Sequence, residues 1–353
     1  MALAFVLGGP MYWACRLSDY LRPARLRGGV DDSDDEDGRP LWREVKEEPL
    51  DVRAYLERVG LADAWDQGSL TPDRRTLEAL VRAHLDAIPF ENLDVMSKLA
   101  IRLDLRRAFE KIVVRRRGGF CFEMNLLLGA VLLALGFDAR YGLARVWRPE
   151  APGSLASNAV DCASVRTDQT PAWGGAQAAS HIIVHVRFPD GSSAIADVGF
   201  GEPPRVAAVA GSFHDGSHDF RITRRGPLHV LERKSRGAPG LQGIVSPPGT
   251  WEPRILFDTR TSRPRSHYEP GLAAVQDPKY DTIFTRSPFA TRTRPDGVRV
   301  TLNGNTFKLT NGPEVLSSMR LATQEEYFAC LSTNFNMSAD APDAALRTCA
   351  AIA

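Results

Sequence analysis

The run Leu126-Leu-Leu-Gly-Ala-Val-Leu-Leu-Ala-Leu135 constrains this 353-residue chain more than any other. It carries no charge and no hydrogen-bonding side chain, so a helix built from it has no face to offer water and must be packed on all sides. The helix is read to begin at Cys121, within Arg117-Gly-Gly-Phe-Cys-Phe-Glu-Met-Asn125. Unpaired N–H groups and the positive end of a helix dipole favour thiolate over thiol. The two preceding glycines let the backbone turn sharply and approach a ligand closely. The ordinary reading of a free cysteine is a small buried hydrophobe. Cys121 becomes a nucleophile only if the chain supplies it with partners.

Those partners lie downstream. Ser180-His181-Ile-Ile-Val-His-Val-Arg-Phe188 and Ser192-Ser-Ala-Ile-Ala-Asp-Val-Gly-Phe200, joined by Pro189-Asp190-Gly191, read as a hairpin. A type I turn with Gly191 in the left-handed conformation gives a three-residue loop that pairs Phe188 with Ser192. His181 then lies opposite Gly199, with Asp197 as its diagonal neighbour on the same face. A two-residue Asp190-Gly191 turn would shift the register by one and put the two on opposite faces. Cysteine, histidine, aspartate is the chain order of papain-like catalysis, in which the imidazole takes the thiol proton and the carboxylate fixes its tautomer. A histidine at a strand start or an aspartate at a strand end is unremarkable alone; together Cys121, His181 and Asp197 read as a triad. His185, on the same strand without an equivalent carboxylate, reads as structural.

The same residues carry a family resemblance. RGGFCFEMN resembles the nucleophile motif of the arylamine N-acetyltransferases, Ser180-His181 before an apolar strand is similar to their histidine motif, and Asp197-Val-Gly-Phe-Gly201 to their aspartate motif. Ile88-Pro-Phe-Glu-Asn-Leu-Asp-Val95, preceded by Tyr55-Leu-Glu-Arg-Val-Gly60, resembles the family's opening helices. The resemblance is clear from about Asp51 to Gly201 and fainter to about Gly312. It implies ping-pong transfer from acetyl-CoA, through acetyl-Cys121, to an arylamine, arylhydrazine or N-arylhydroxylamine, with malonyl or propionyl donors left open. Acetyl-CoA is then a co-substrate, and no tightly bound cofactor is expected. The resemblance places Phe200 in the acceptor pocket. Gly199 and Gly201 read either as room for the pantetheine or acyl group of CoA or as tight strand packing. Arg117 and Glu123 read as a supporting ion pair or hydrogen bonds rather than as participants in chemistry. Two other functions fit the triad less completely: a papain-like amidase or peptidase that accepts water, and a non-catalytic CoA or aryl-ligand binding protein.

Composition narrows the partners. Forty-four Lys and Arg against 43 Asp and Glu give a net charge of +1, which provides no field for a nucleic acid. No Cys-x-x-Cys or His/Cys ligand set implies a metal. Cysteines at 15, 121, 162, 330 and 349 are few and irregularly spaced, which suits a reducing, cytoplasmic location. The apolar first fifteen residues contain Pro10 and are too short to span a membrane. Nothing sets an oligomeric state.

The expected architecture is α+β, with an N-terminal helical domain, a central β-barrel and a C-terminal α/β lid around a cysteine-protease-like catalytic core. Residues 1–50, which include the acidic run Asp31-Asp-Ser-Asp-Asp-Glu-Asp-Gly38, are expected to form a disordered extension outside the catalytic unit. Residues 51–140 would be helical and carry Cys121, and residues 141–250 would form the barrel with His181 and Asp197. An insertion at about 148–177 would interrupt the barrel. Residues 251–353 would form the lid, with a helix near Thr323–Cys330 and an alanine-rich end that either frays or docks.

Overall fold

A computed structural model describes residues 39–146, 180–225, 228–237, 246–259, 263–280, 282–338 and 344–352. The expected extension before residue 39 and the insertion at about 148–177 therefore lie outside the described residues. Among the described residues seven helices precede the first long strand: α1 (Leu41–Lys46), α2 (Val52–Val59), α3 (Ala62–Asp66), α4 (Arg74–Ala87), α5 (Leu93–Met96), α6 (Leu105–Phe109) and α7 (Cys121–Ala134). A π-helical turn, Glu110–Val114, continues α6. Their ends follow capping chemistry. Asp51 accepts from Ala54 N at 2.9 Å, Asp73 from Thr76 N at 2.8 Å, and Gly60 closes α2 in the left-handed conformation.

Every residue of α7 from Cys121 to Leu133 is buried, as the uninterrupted apolar run requires. α1, α2, α6 and two strands, β2 (Asp138–Val146) and β3 (His181–Arg187), pack around it. α4 turns Leu77, Leu80, Val81 and His84 inward. His84 is a core histidine, bonded through Nδ1 to the Tyr55 hydroxyl at 2.9 Å. Burial, with a smaller effect from Arg58, lowers its pKa to about 3.

β2 and β3 belong to a seven-stranded antiparallel sheet with β4 (Ser193–Ala196), β5 (Gly211–His214), β6 (Asp219–Arg225), β7 (Leu228–Lys234) and β8 (Trp251–Phe257), in the order β4-β3-β2-β8-β7-β6-β5. Ile195 and Ala208 exchange two backbone hydrogen bonds of 2.8 Å, so the curled sheet touches the chain entering its opposite edge. Both faces of β3 are buried. Ile182, Val184 and Val186 meet the helical core, while Ile183 joins Phe220, Leu231 and Phe257 on the other side. A second sheet, in the order β1-β9-β10-β11-β12, contains β1 (Phe90–Glu91), β9 (Phe289–Thr293), β10 (Arg299–Asn303), β11 (Thr306–Asn311) and β12 (Glu314–Arg320). Short α8 (Glu269–Gln276) and α9 (Ile283–Arg286) precede β9; α10 (Gln324–Phe335) and α11 (Ala344–Ile352) follow β12.

At the N-terminal side one expectation is revised, and at the C-terminal side one of two open alternatives is met. Leu41–Lys46, placed in the extension by sequence, is a helix whose Leu41 and Val45 are buried in the main core, tied by Leu41 N to Arg263 O at 2.9 Å. The alanine-rich end docks: Ala345, Leu346 and Cys349 are buried, and Cys349 Sγ donates to Leu93 O of α5 at 3.4 Å. Among the described residues no helix is long and apolar enough to cross a membrane.

Candidate active site

The β3–β4 hairpin sets the site. Gly191, at φ +82°, donates to Phe188 O at 3.0 Å, and Phe188 N donates to Ser192 O at 2.9 Å. The loop is thus the three-residue one, and Val184 pairs with Ala196, as that register demands. Past the last pair the strands separate, and Asp197 Oδ2 meets His181 Nε2 at 2.7 Å. His181 is 1% exposed and Asp197 5%. Cys121, also buried, lies where α7 begins, close enough to the same imidazole to raise its proton affinity; its sulfur is 3.9 Å from Ser180 O. With Nε2 taken by the carboxylate, Nδ1 is the nitrogen left for the thiol.

Burial alone would lower the His181 pKa. The charge and hydrogen bond of Asp197, aided by those of Cys121, outweigh it and raise the pKa to about 10. The imidazole therefore stands ready as an imidazolium, the state that stabilises a neighbouring thiolate.

Asn125, one helical turn after Cys121, ties the parts together. Its amide donates to Asp197 Oδ1 at 2.8 Å and to Ile182 O at 2.7 Å, and its carbonyl oxygen accepts from Val198 N at 2.9 Å. The carboxylate also accepts from Gly199 N at 2.9 Å. Gly199 packs directly on α7: a Cβ there would sit 2.5 Å from Cys121 Cα. Gly201, at φ +80°, lines a small, partly open pocket with Phe90, Met124, Val198, Arg205 and Arg292. The Phe200 ring stands edge-on to His181 with centroids 5.7 Å apart, and the Arg254 guanidinium lies 5.1 Å from the Phe200 centroid.

Arg117 and Glu123 join one buried charge cluster without pairing directly. Arg117 Nη2 contacts Glu91 and Asp94, each at 2.9 Å; Lys111 Nζ contacts both Glu123 oxygens at 2.9 and 3.0 Å and Asp94 at 3.1 Å. Glu123 also accepts from Phe120 N at 3.2 Å, capping the first turn of α7, since Phe120 has no side-chain acceptor of its own. Burial raises the Glu123 pKa to about 7 despite the Lys111 charge. Asn125 and Lys111 were not read as site residues from sequence. A signal for Asn125 existed, a lone polar side chain entering an apolar helix one turn from the cysteine. None existed for Lys111, which reaches Glu123 only because the Gly118-Gly119 turn folds the chain back. Among the described residues no group of His, Cys, Asp or Glu is arranged to hold a metal.

A family model described as N-acetyltransferase matches residues 73–161 and 158–344. An arylamine N-acetyltransferase of Mycolicibacterium smegmatis is 34% identical over 229 residues, 63% of this chain and 69% of that protein. That of Mycobacterium tuberculosis H37Rv is 31% identical over 221 residues; there the match spans 60% of this chain and 64% of the relative, just under two thirds of its length. Among solved structures, M. smegmatis arylamine N-acetyltransferase aligns with a TM-score of 0.67 at 27% identity, covering 86% of this chain and 99% of that one. The Mycobacterium marinum enzyme in complex with CoA aligns with a TM-score of 0.65 at 26% identity over the same shares. The chain belongs to the arylamine N-acetyltransferase family.

Proposed function

We propose that this enzyme transfers acetyl from acetyl-CoA to arylamines, arylhydrazines or N-arylhydroxylamines by a ping-pong route through acyl-Cys121. One observation carries the reading: in a chain of this family, a buried His181–Asp197 pair meets a cysteine at the N-terminus of α7. The Cys121 thiolate attacks the thioester carbonyl. The first-turn N–H groups of α7, that of Cys121 among them, hold the developing oxyanion. As the C–S bond to CoA breaks, the leaving thiolate takes the proton held by His181. Thioester exchanges for thioester, so the acyl group rests on Cys121 at little thermodynamic cost.

Acylation also removes the charge and hydrogen bond of Cys121, two of the interactions that raise the proton affinity of His181. The imidazole is left as a base. It accepts a proton from the amine as the nitrogen attacks acyl-Cys121, and the released thiolate restores the ion pair. Aromatic amines suit this step because they are unprotonated at neutral pH. Phe200 walls the acceptor site and Gly201 keeps the backbone clear for the pantetheine and acyl group, while Gly199 serves the tight packing of the chain on the Cys121 backbone. Arg117 and Glu123 support the start of α7.

The same reading groups the chain into a helical part, a barrel-like part and an α/β lid over a cysteine-protease-like core. A nucleophilic thiol requires a reducing compartment, which supports a cytoplasmic location. Intact-protein mass spectrometry after mixing with acetyl-CoA, malonyl-CoA or propionyl-CoA tests the function. The expected result is a single adduct on Cys121 that disappears when an aromatic amine is added, with N-acylated amine formed. No adduct from any donor would overturn the reading.

A further inference from the structure

β12 ends the second sheet. It pairs with β11 on one side and, among the described residues, with no strand on the other. An edge strand offers a row of unpaired N–H and C=O groups to any second strand, and proteins blunt such edges with prolines, internal charges, bulges or a covering segment. β12 has only the bulge. Leu309 pairs with Ser317 and Thr310 with Val315, which leaves Leu316 without a counterpart, yet Ser317 to Arg320 run on in one register against Thr306 to Leu309. Every residue of the strand is exposed. Val315 is 56% exposed, Leu316 47% and Met319 51%, which makes half of the large apolar side chains standing in the open among the described residues. Scattered apolar residues on a surface carry no meaning, but three gathered on one open edge mark a contact surface.

The order of residues along Glu314-Val-Leu-Ser-Ser-Met-Arg320 selects the partner. The strand carries an acid at one end, a base at the other and an apolar residue inside each. We propose that β12 pairs antiparallel with β12 of a second copy of this chain, so that the two five-stranded sheets become one. Pairing about a two-fold axis near Ser317 sets Glu314 beside the partner's Arg320 and Val315 beside the partner's Met319, and symmetry repeats both contacts. Parallel pairing would set acid beside acid and base beside base. Among the described residues neither Glu314 nor Arg320 has an ion-pair partner in its own chain, so both charges are free for the second copy. A strand of this length contributes fewer residues than the roughly 20–30 a side of a standard interface, so the dimer is weak, with a dissociation constant on the order of micromolar or higher.

Sedimentation velocity of the full-length chain at low salt, from about 1 to about 300 micromolar, tests the proposal across that range. The expected result is a monomer that passes into a dimer as concentration rises. Glu314→Arg alone, or Arg320→Glu alone, sets like charges together at both ends of the pair and should weaken the dimer by about tenfold or more. An equal mixture of the two variants should restore it, because each then supplies the charge the other lacks. Both positions are exposed, and unchanged thermal midpoints check that the variants keep the fold; should either fail, the wild-type concentration series still decides. A monomer throughout the range overturns the inference and leaves the edge to another segment of this chain or to a foreign strand. A dimer that neither single variant weakens, or that the mixture fails to restore, lies on another face and overturns it equally.

Discussion

At the scale of single residues, the His181–Asp197 contact decides the protonation of the site. A histidine whose pKa is raised to about 10 contributes stability that is complete below its ordinary value of 6.5 and disappears as pH rises through 10. On the proposed route, the imidazolium that accompanies acyl-Cys121 formation should follow the same course. The alkaline limb of the acylation rate is therefore expected near pH 10, and Asp197→Asn should move it down by about a unit or more while slowing the reaction. Quenched-flow mass spectrometry across pH measures both; an unmoved limb would make the carboxylate purely structural. Asn125→Ala makes a separate demand. It leaves Asp197 Oδ1, Ile182 O and Val198 N each short of a buried partner, and it should lower stability by about 2–4 kcal/mol. Acylation should slow by about tenfold or more through misplacement of the carboxylate, a loss that persists at temperatures where the variant is fully folded. The His181–Asp197 contact was legible in sequence because Pro189-Asp190-Gly191 sets a register that brings the two to one face. The role of Asn125 was not, because its partners lie on strands whose approach to α7 no local pattern encodes.

At the scale of elements, the start of α7 is held from two sides. Gly199 lets the chain after β4 lie on the Cys121 backbone, and Glu123 caps the first turn while gripping Lys111 from the π-helical turn. Lys111→Met removes one of two cations serving Glu91, Asp94 and Glu123. Breaking a buried pair by deleting one partner costs about 3–5 kcal/mol, so chemical denaturation should show a loss of that size. Adding Glu123→Gln should recover part of it by removing the stranded charge, and a double variant no more stable than Lys111→Met would show that Lys111 acts through its other contacts. Glu123 carries its own pH signature. Its pKa is raised to about 7, so the folded protein binds that proton more tightly than the unfolded chain. The resulting stability is complete below 4.5 and is lost as pH rises through 7, a slope that Glu123→Gln should remove. The hairpin, α4 and α7 were readable because local periodicity, capping and turn residues agreed. The charge cluster was not, because it forms where three elements distant in sequence converge.

At the scale of the molecule, the boundary of the folded unit lies earlier in the chain than composition suggests. Leu41, Trp42 and Val45 are too few, and too near Pro40, Pro49 and an acidic run, to read as a core element by themselves. The fold gives them a partner: Leu41 is 0% exposed and Val45 2%, in the same cluster as the inner face of α7, and Glu44 pairs with Arg265 at 3.0 Å. α1 is thus the outer wall behind the helix that presents Cys121. A chain beginning at residue 51 should be less stable than one beginning at residue 39 by at least about 4 kcal/mol, since losing each large buried aliphatic side chain costs roughly 2–5 kcal/mol. Urea denaturation of the two truncations measures the difference. The shorter chain should also lose acyl-Cys121 formation at temperatures where the longer one retains it, because α7 would be left without packing on one face. Equal midpoints would show that α1 lies on the core without contributing to it, and would restore the sequence-based boundary near residue 50.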